Sequence, residues 1–238
     1  MSKPHLVLIP GLICDDAVWE YQARELQALA EITIADHGSM DSFTAMADVI
    51  LDHAPERFAI AGHSMGGRVA FEIFRRAPER ISGVALLDTA STPKRTGVEG
   101  EREAKQRYAL LKKAQRHGMR SMGAEWVRPM VHPNRKSDSA LINAILDMIA
   151  RKTPEIFAAQ IKALLDRPDA RPLLPQIQCP TLVLCGRQDS WSVLSHHEEM
   201  AAMIPHCRLV VIEDCGHMST MERPAEVTAA LGEWITSL

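Results

Sequence analysis

The sequence predicts an α/β protein: a mostly parallel, doubly wound sheet of about six strands, with a helical insert after the fourth strand. Three observations carry this. Short apolar runs alternate with stretches of helical spacing along most of the chain. One run, Ala59-Ile60-Ala61, passes through Gly62-His63-Ser64-Met65-Gly66-Gly67 into a helix, which makes a sharp strand–turn–helix corner. Near Ser91 the composition shifts, and from Pro93 to about Pro175 the pattern is helical with no convincing strand. The 238 residues fit one such domain. We expect a core formed by 1–92 and 176–238, with 93–175 as the insert.

The elements follow in order. His5-Leu6-Val7-Leu8-Ile9 is continuously apolar, as a strand covered on both faces should be, and Pro10-Gly11 stops it. Asp15 or Asp16 can cap a helix from about Ala17 to Ala30. Ile32 to Ala35 reads as the second strand, and Asp41 or Ser42 starts a helix with Phe43, Met46, Val49 and Ile50 on one side. Arg57 to Ala61 is the third strand, and the helix after the corner runs to about Ala77, where Pro78 stops it. Ile81 to Leu87 is the fourth strand. Within the insert, Leu141, Ile142, Ile145, Leu146 and Ile149 form one apolar stripe, and Pro154 opens a helix through Leu165. Strands return at Thr181–Cys185 and Arg208–Ile212, with a helix over 193–204 between them. Pro224 suits the first turn of a final helix. Parallel neighbours need long crossovers, so the carboxyl ends of these strands share one rim, where open α/β sheets bind ligands.

Composition removes several function classes. A formal charge of −3 gives no electrostatic case for nucleic acid or an anionic membrane. The apolar run at the start is too short for a signal-peptide core, and nowhere do 18 apolar residues run together. Cys14, Cys179, Cys185, Cys207 and Cys215 are odd in number and form no C-x-x-C pair, so neither a disulfide framework nor a metal site is signalled. Reduced thiols in a cytoplasmic protein are expected.

Ser64 carries the chemistry. Its corner needs small residues two positions on either side, because strand and helix pack nearly back to back there. The Met65 N–H opens the helix and can donate to a developing oxyanion. A serine hydroxyl needs a base, and the base needs a carboxylate to hold its tautomer. His217, in Asp214-Cys215-Gly216-His217-Met218 after the last strand, is the candidate base. Asp189, in Gly186-Arg187-Gln188-Asp189 after strand five, is the candidate acid, and Asp88 at the end of strand four is its rival. His63 should pack or hydrogen-bond beneath the site. His196 and His197 read as solvated or capping. Asp214 reads as a turn residue and Asp36 as structural. The Leu12 N–H, after Pro10-Gly11, is the candidate second oxyanion donor, with Gly11 supplying unusual backbone angles. Each piece also has a plainer reading: a Pro-Gly turn, a glycine-rich corner, a surface histidine.

Together these pieces resemble the α/β-hydrolase superfamily, in the carboxylesterase, lactonase and carbon–carbon-bond hydrolase neighbourhood. The carrying segments are L-V-L-I-P-G-L-I-C-D-D-A-V-W at 6–19, G-H-S-M-G-G at 62–67, L-C-G-R-Q-D-S-W at 184–191 and C-G-H-M at 215–218. Many relatives have His-Gly where this chain has Pro10-Gly11. The resemblance implies a serine hydrolase that cleaves a carboxylic ester or related acyl bond of a small molecule through an acyl-enzyme, without cofactor or metal. Lactone, thioester and carbon–carbon cleavage remain open, as does a receptor that binds without turnover. The resemblance also implies that the insert caps the site. Trp126, Met119, Met122, Met130 and Met148 are candidates for its lining, although packing within the cap is the plainer role for each. The basic residues early in the insert interleave with Glu99, Glu101 and Glu103, so a solvated face is expected, with a lone arginine clamping a substrate carboxylate as the sharper reading.

Overall fold

The computed structural model describes residues 3–238. Six strands form one sheet: β1 (His5–Ile9), β2 (Glu31–Ile34), β3 (Phe58–His63), β4 (Ile81–Leu87), β5 (Thr181–Gly186) and β6 (Cys207–Ile212). All pair in parallel, in the order β2-β1-β3-β4-β5-β6. Every residue of β3 and β5 is buried, as their unbroken apolar runs require of strands covered on both faces. The chain moves from β1 outward to β2, then returns to β3 on the other side of β1. That reversal is the switch point where the rim opens. Register keeps the strand ends level there, with Ile9 beside Gly62 and Gly62 beside Leu86.

The helices outside the insert are α1 (Glu20–Leu26), α2 (Phe43–His53), α3 (Met65–Arg76), α8 (Leu194–Met203), α9 (Ser219–Glu222) and α10 (Pro224–Ile235). The insert adds α4 (Gly97–His117), α5 (Met119–Trp126), α6 (Ser139–Ala150) and α7 (Pro154–Leu165), all between β4 and β5. Side-chain caps start several of these: Ser42, one of the two expected caps, accepts from the Ala45 N–H at 3.2 Å, and Thr153, just before Pro154, from the Ile156 N–H at 3.3 Å.

Three local expectations change. The helix expected over 17–30 is a 3-10 turn at Asp16–Val18 followed by the shorter α1. Asp15 caps the turn, and the turn buries Val18 and Trp19, so tertiary packing overrides a continuous helix. β3 runs on to His63, right up to the nucleophile candidate. The short α9, directly after His217, had no periodic signal in four residues.

Candidate active site

Ser64 sits at the tip between β3 and α3 with φ 54° and ψ −114°, a strained conformation for a non-glycine residue. Its backbone is pinned on both sides. The Ser64 N–H donates to the Leu87 carbonyl at 2.8 Å, and its carbonyl accepts from the Thr89 hydroxyl at 2.8 Å and the Gly67 N–H at 3.0 Å. The flanking glycines are required by space. A Cβ on Gly62 would lie 2.4 Å from the Gly66 carbonyl carbon, and one on Gly66 would lie 2.0 Å from the Ile9 oxygen.

Three residues distant in sequence meet here. His217 Nε2 lies 2.9 Å from Ser64 Oγ, and His217 Nδ1 lies 2.7 Å from Asp189 Oδ2. The other Asp189 oxygen accepts the Trp191 and Ser192 N–H groups at 2.8 and 2.9 Å. With the carboxylate accepting from Nδ1–H, the remaining ring nitrogen is free to accept from the serine hydroxyl. Burial opposes charge on His217, but the Asp189 carboxylate and its hydrogen bond outweigh it and raise the imidazole above its ordinary value. Burial likewise opposes ionisation of Asp189, yet His217 and the two backbone donors hold it below the usual carboxylate range.

The candidate oxyanion donors flank the serine. Met65 opens α3, and Leu12 lies in the loop after β1; both line the same cavity as Ser64. Among the described residues neither N–H has a hydrogen-bond acceptor. Gly11 does not supply a left-handed backbone; Ile13 does, with φ 50°. What Gly11 supplies is closeness, since a Cβ there would sit 3.2 Å from His63 Nδ1 and 3.3 Å from Ser64 Cβ. The loop is held by groups the sequence did not point to. Gln160 of α7 accepts the Ile13 N–H at 2.8 Å and donates to the Gly38 carbonyl at 3.0 Å. Burial pushes His37 down to about 4, so it is neutral at pH 7, and its Nε2 lies 3.1 Å from the Pro10 carbonyl oxygen.

Asp88 is buried at the end of β4 but does not partner the His217 ring. It accepts the Gly186 N–H at 3.0 Å and the Ser219 hydroxyl, and its carboxylate lies 3.5 Å from His63 Nε2. His63 lies beneath the site as expected, with Nε2 2.8 Å from the His217 carbonyl oxygen. The reading of His197 as solvated or capping is corrected: it is fully buried, and its Nε2 accepts the Thr89 N–H at 3.1 Å, a group outside its own helix. Asp214 is a turn residue with φ 49°.

The loop carrying His217 is tied to the insert. The His217 N–H donates to the Met130 carbonyl at 2.6 Å, and the Ser190 hydroxyl donates to the Pro129 carbonyl at 2.9 Å. Glu222, in α9, accepts the Gly216 and Met218 N–H groups at 3.1 and 3.2 Å on one oxygen, and the His132 N–H at 2.8 Å on the other. Above the site, the Trp191 ring lies 5.0 Å from the His217 ring and 5.1 Å from that of Trp126. The cavity over Ser64 has a volume of about 830 Å³. Trp126 and Met130 line it, whereas Met119, Met122 and Met148 are buried in the packing of the insert.

The family model described as "Alpha/beta hydrolase family" matches residues 6–231. The chain belongs to the alpha/beta hydrolase family.

Among curated relatives, this hydrolase is 26% identical to a pimeloyl-[acyl-carrier protein] methyl ester esterase from Nitrosomonas europaea, over 94% of this chain and 93% of the relative. It is 24% identical to a 2-succinyl-6-hydroxy-2,4-cyclohexadiene-1-carboxylate synthase from Serratia proteamaculans, over 99% and 94%. Among solved structures, a malate-bound thermophilic esterase from Thermogutta terrifontis superposes with a TM-score of 0.87 at 29% identity, covering 99% of this chain and 90% of that one. An enol-lactonase from Burkholderia xenovorans, at 23% identity and a TM-score of 0.84 over 99% and 92%, shares the fold. No helix of the described residues is long and apolar enough to cross a membrane, and no group of three or more candidate ligands among them could hold a metal.

Proposed function

We propose that this hydrolase cleaves carboxylic esters of small molecules through a Ser64–His217–Asp189 triad and an acyl-enzyme. The observation that carries the reading is the unbroken hydrogen-bonded path from Ser64 Oγ through both nitrogens of His217 to Asp189, on the floor of a cavity large enough for a small ester. Ser64 Oγ attacks the ester carbonyl as His217 Nε2 takes its proton. The Met65 and Leu12 N–H groups, without acceptors among the described residues, receive the oxyanion; one such donor is worth about 2.7–4 kcal/mol in the transition state. Imidazolium then protonates the leaving alkoxide, and Asp189 stabilises that cation. Water, deprotonated by the same nitrogen, releases the acid and restores the serine.

The segment 93–175 acts as a cap. Its Met130 carbonyl and Trp126 ring touch the catalytic loops, and closing that side excludes water and shapes the acyl pocket. Lactones and thioesters present the same carbonyl to the same groups, and the methyl ester esterase named above makes open-chain esters the first class to try. The five thiols, all unpaired, fit a cytoplasmic protein.

The test is Ser64→Ala. It should remain folded by circular dichroism and lose at least about 10³-fold in kcat on a short p-nitrophenyl ester. Undiminished turnover would defeat the triad. A wild-type protein labelled once by a fluorophosphonate but unable to turn over any ester, lactone or thioester would be a receptor instead.

A further inference from the structure

The insert side of the cavity is unusually basic. Arg68 of α3, Arg107 of α4 and Arg167, just after α7, line it together with a single carboxylate, Glu103. Arg167 grips Glu103 as a fork, Nη1 to Oε1 and Nη2 to Oε2, both at 2.7 Å, and Arg107 Nε donates to Oε1 at 3.0 Å. Burial opposes ionisation of Glu103, but the Arg167 hydrogen bonds and the Arg107 charge pull it down to about 2, so it is a fixed anion. Within this cluster three guanidinium groups face one carboxylate, an excess of two positive charges; Arg95 and Arg171, which also line the cavity, pair with Glu99 and Asp169. The chain as a whole is formally −3, so this is a local inversion of charge.

Arg68 has no ion pair among the described residues. Its one protein acceptor is the Thr92 carbonyl, 2.5 Å from Nη1. Burial, then the charges of Arg167 and Arg107, push its guanidinium down to about 9, so it stays charged at pH 7 while carrying the cost of that position. Arg167 is 9% exposed and its Nε has no partner among the described residues. Tying α4 to the chain after α7 needs only the Glu103–Arg167 fork. The other two guanidiniums are surplus to that structural task. Arg68 is four residues along α3 from Ser64, an axial rise of about 6 Å, and opens on the cavity that Ser64 and His217 floor. A guanidinium fork matches a planar carboxylate or a phosphate.

We propose that Arg68 and Arg107 form an oxyanion-binding subsite that selects esters carrying a carboxylate or phosphate remote from the scissile bond. This rests on the ester-hydrolase reading and narrows its substrate class. A neutral acyl chain would leave the two surplus charges unpaired under the closed insert. An ω-anionic acyl group would neutralise one of them while its carbonyl lies against Ser64.

The experiment compares kcat/KM for monomethyl succinate, adipate and suberate, and for methyl 6-phosphonooxyhexanoate, with that for neutral methyl esters of equal length. At least one anionic ester should exceed its neutral match tenfold or more, chiefly through KM. Which anion wins identifies a carboxylate or a phosphoryl source. In Arg68→Met and in Arg107→Met that ratio should collapse by at least tenfold, with Arg68→Lys retaining part of it. Equal use of neutral and anionic esters, or a ratio that survives both methionine variants, overturns the subsite. Binding is read separately in Ser64→Ala. Adipate or inorganic phosphate should raise its Tm, and the added Arg68→Met change should abolish the rise. If wild-type protein hydrolyses neither ester class but the Tm shift holds, the hydrolase reading falls and the subsite stands; if no Tm shift occurs, the subsite falls.

Discussion

At the scale of single residues, the proposed mechanism makes the His217–Asp189 pair the determinant of the working pH. Imidazolium cannot take the Ser64 proton, so activity falls as pH drops through the His217 value. Burial pushes that value down and Asp189 pushes it up further, so it stands above the ordinary 6.5. The acid limb of kcat/KM should therefore have its midpoint above that of a free imidazole. In Asp189→Asn the burial cost loses its counterweight, and the midpoint should move down while kcat falls on the order of 10⁴-fold from the lost tautomer. A midpoint unmoved by the substitution would show that another carboxylate steadies the ring. The meeting of Ser64, His217 and Asp189 was legible in the sequence because each sits in a short segment whose neighbours are constrained: the glycines at 62 and 66 by direct backbone contact, Gly216 by a Cβ that would lie 2.4 Å from the Met130 oxygen. Arg68 was not legible as a cavity residue. Its only signal was a helical spacing of four from Ser64, which any helix offers.

At the scale of elements, the feature with most leverage is α9. Its four residues place Glu222 where one carboxylate holds the N–H groups on both sides of His217 and that of His132 in the insert. Burial raises this carboxyl above the ordinary glutamate value despite its three donors. Glu222→Gln keeps an oxygen for Gly216 and Met218 but turns an amide NH₂ toward the His132 N–H. The orphaned donor should cost about 1–3 kcal/mol in urea unfolding, and kcat should drop as the His217 loop loosens. Unchanged stability together with unchanged kcat would remove Glu222 from this role. Such polar clamps are hard to read from sequence. Gln160 sits in an ordinary helical pattern and Glu222 in a helix too short to show one, and only the fold aims them at loops 147 and 6 residues away. The same holds for His197, which is buried where α8 packs against β5 and β6 and bonds to the Thr89 N–H after β4.

At the scale of the whole molecule, the alternation of apolar runs and helices was enough to count six strands and to place the insert after the fourth. Parallel order and a level rim follow from crossovers of that length. What periodicity could not give was the charge inside the cavity. The basic residues of the early insert read as a solvated face because Glu99, Glu101 and Glu103 alternate with them. In the folded chain Glu99 stays exposed and pairs with Arg95 at 3.0 Å, while Glu103 and Arg107 turn inward to meet Arg167. One helix thus carries two electrostatic roles on different faces, and linear charge patterning averages them.

The bond from the His217 amide to the Met130 oxygen has a consequence for engineering. Replacing 93–175 by a short linker to widen access would also unmoor the proposed base, because the strut that fixes the His217 backbone comes from the removed segment. A trimmed protein should accordingly be a poorer catalyst toward bulky and small esters alike, rather than a more permissive one.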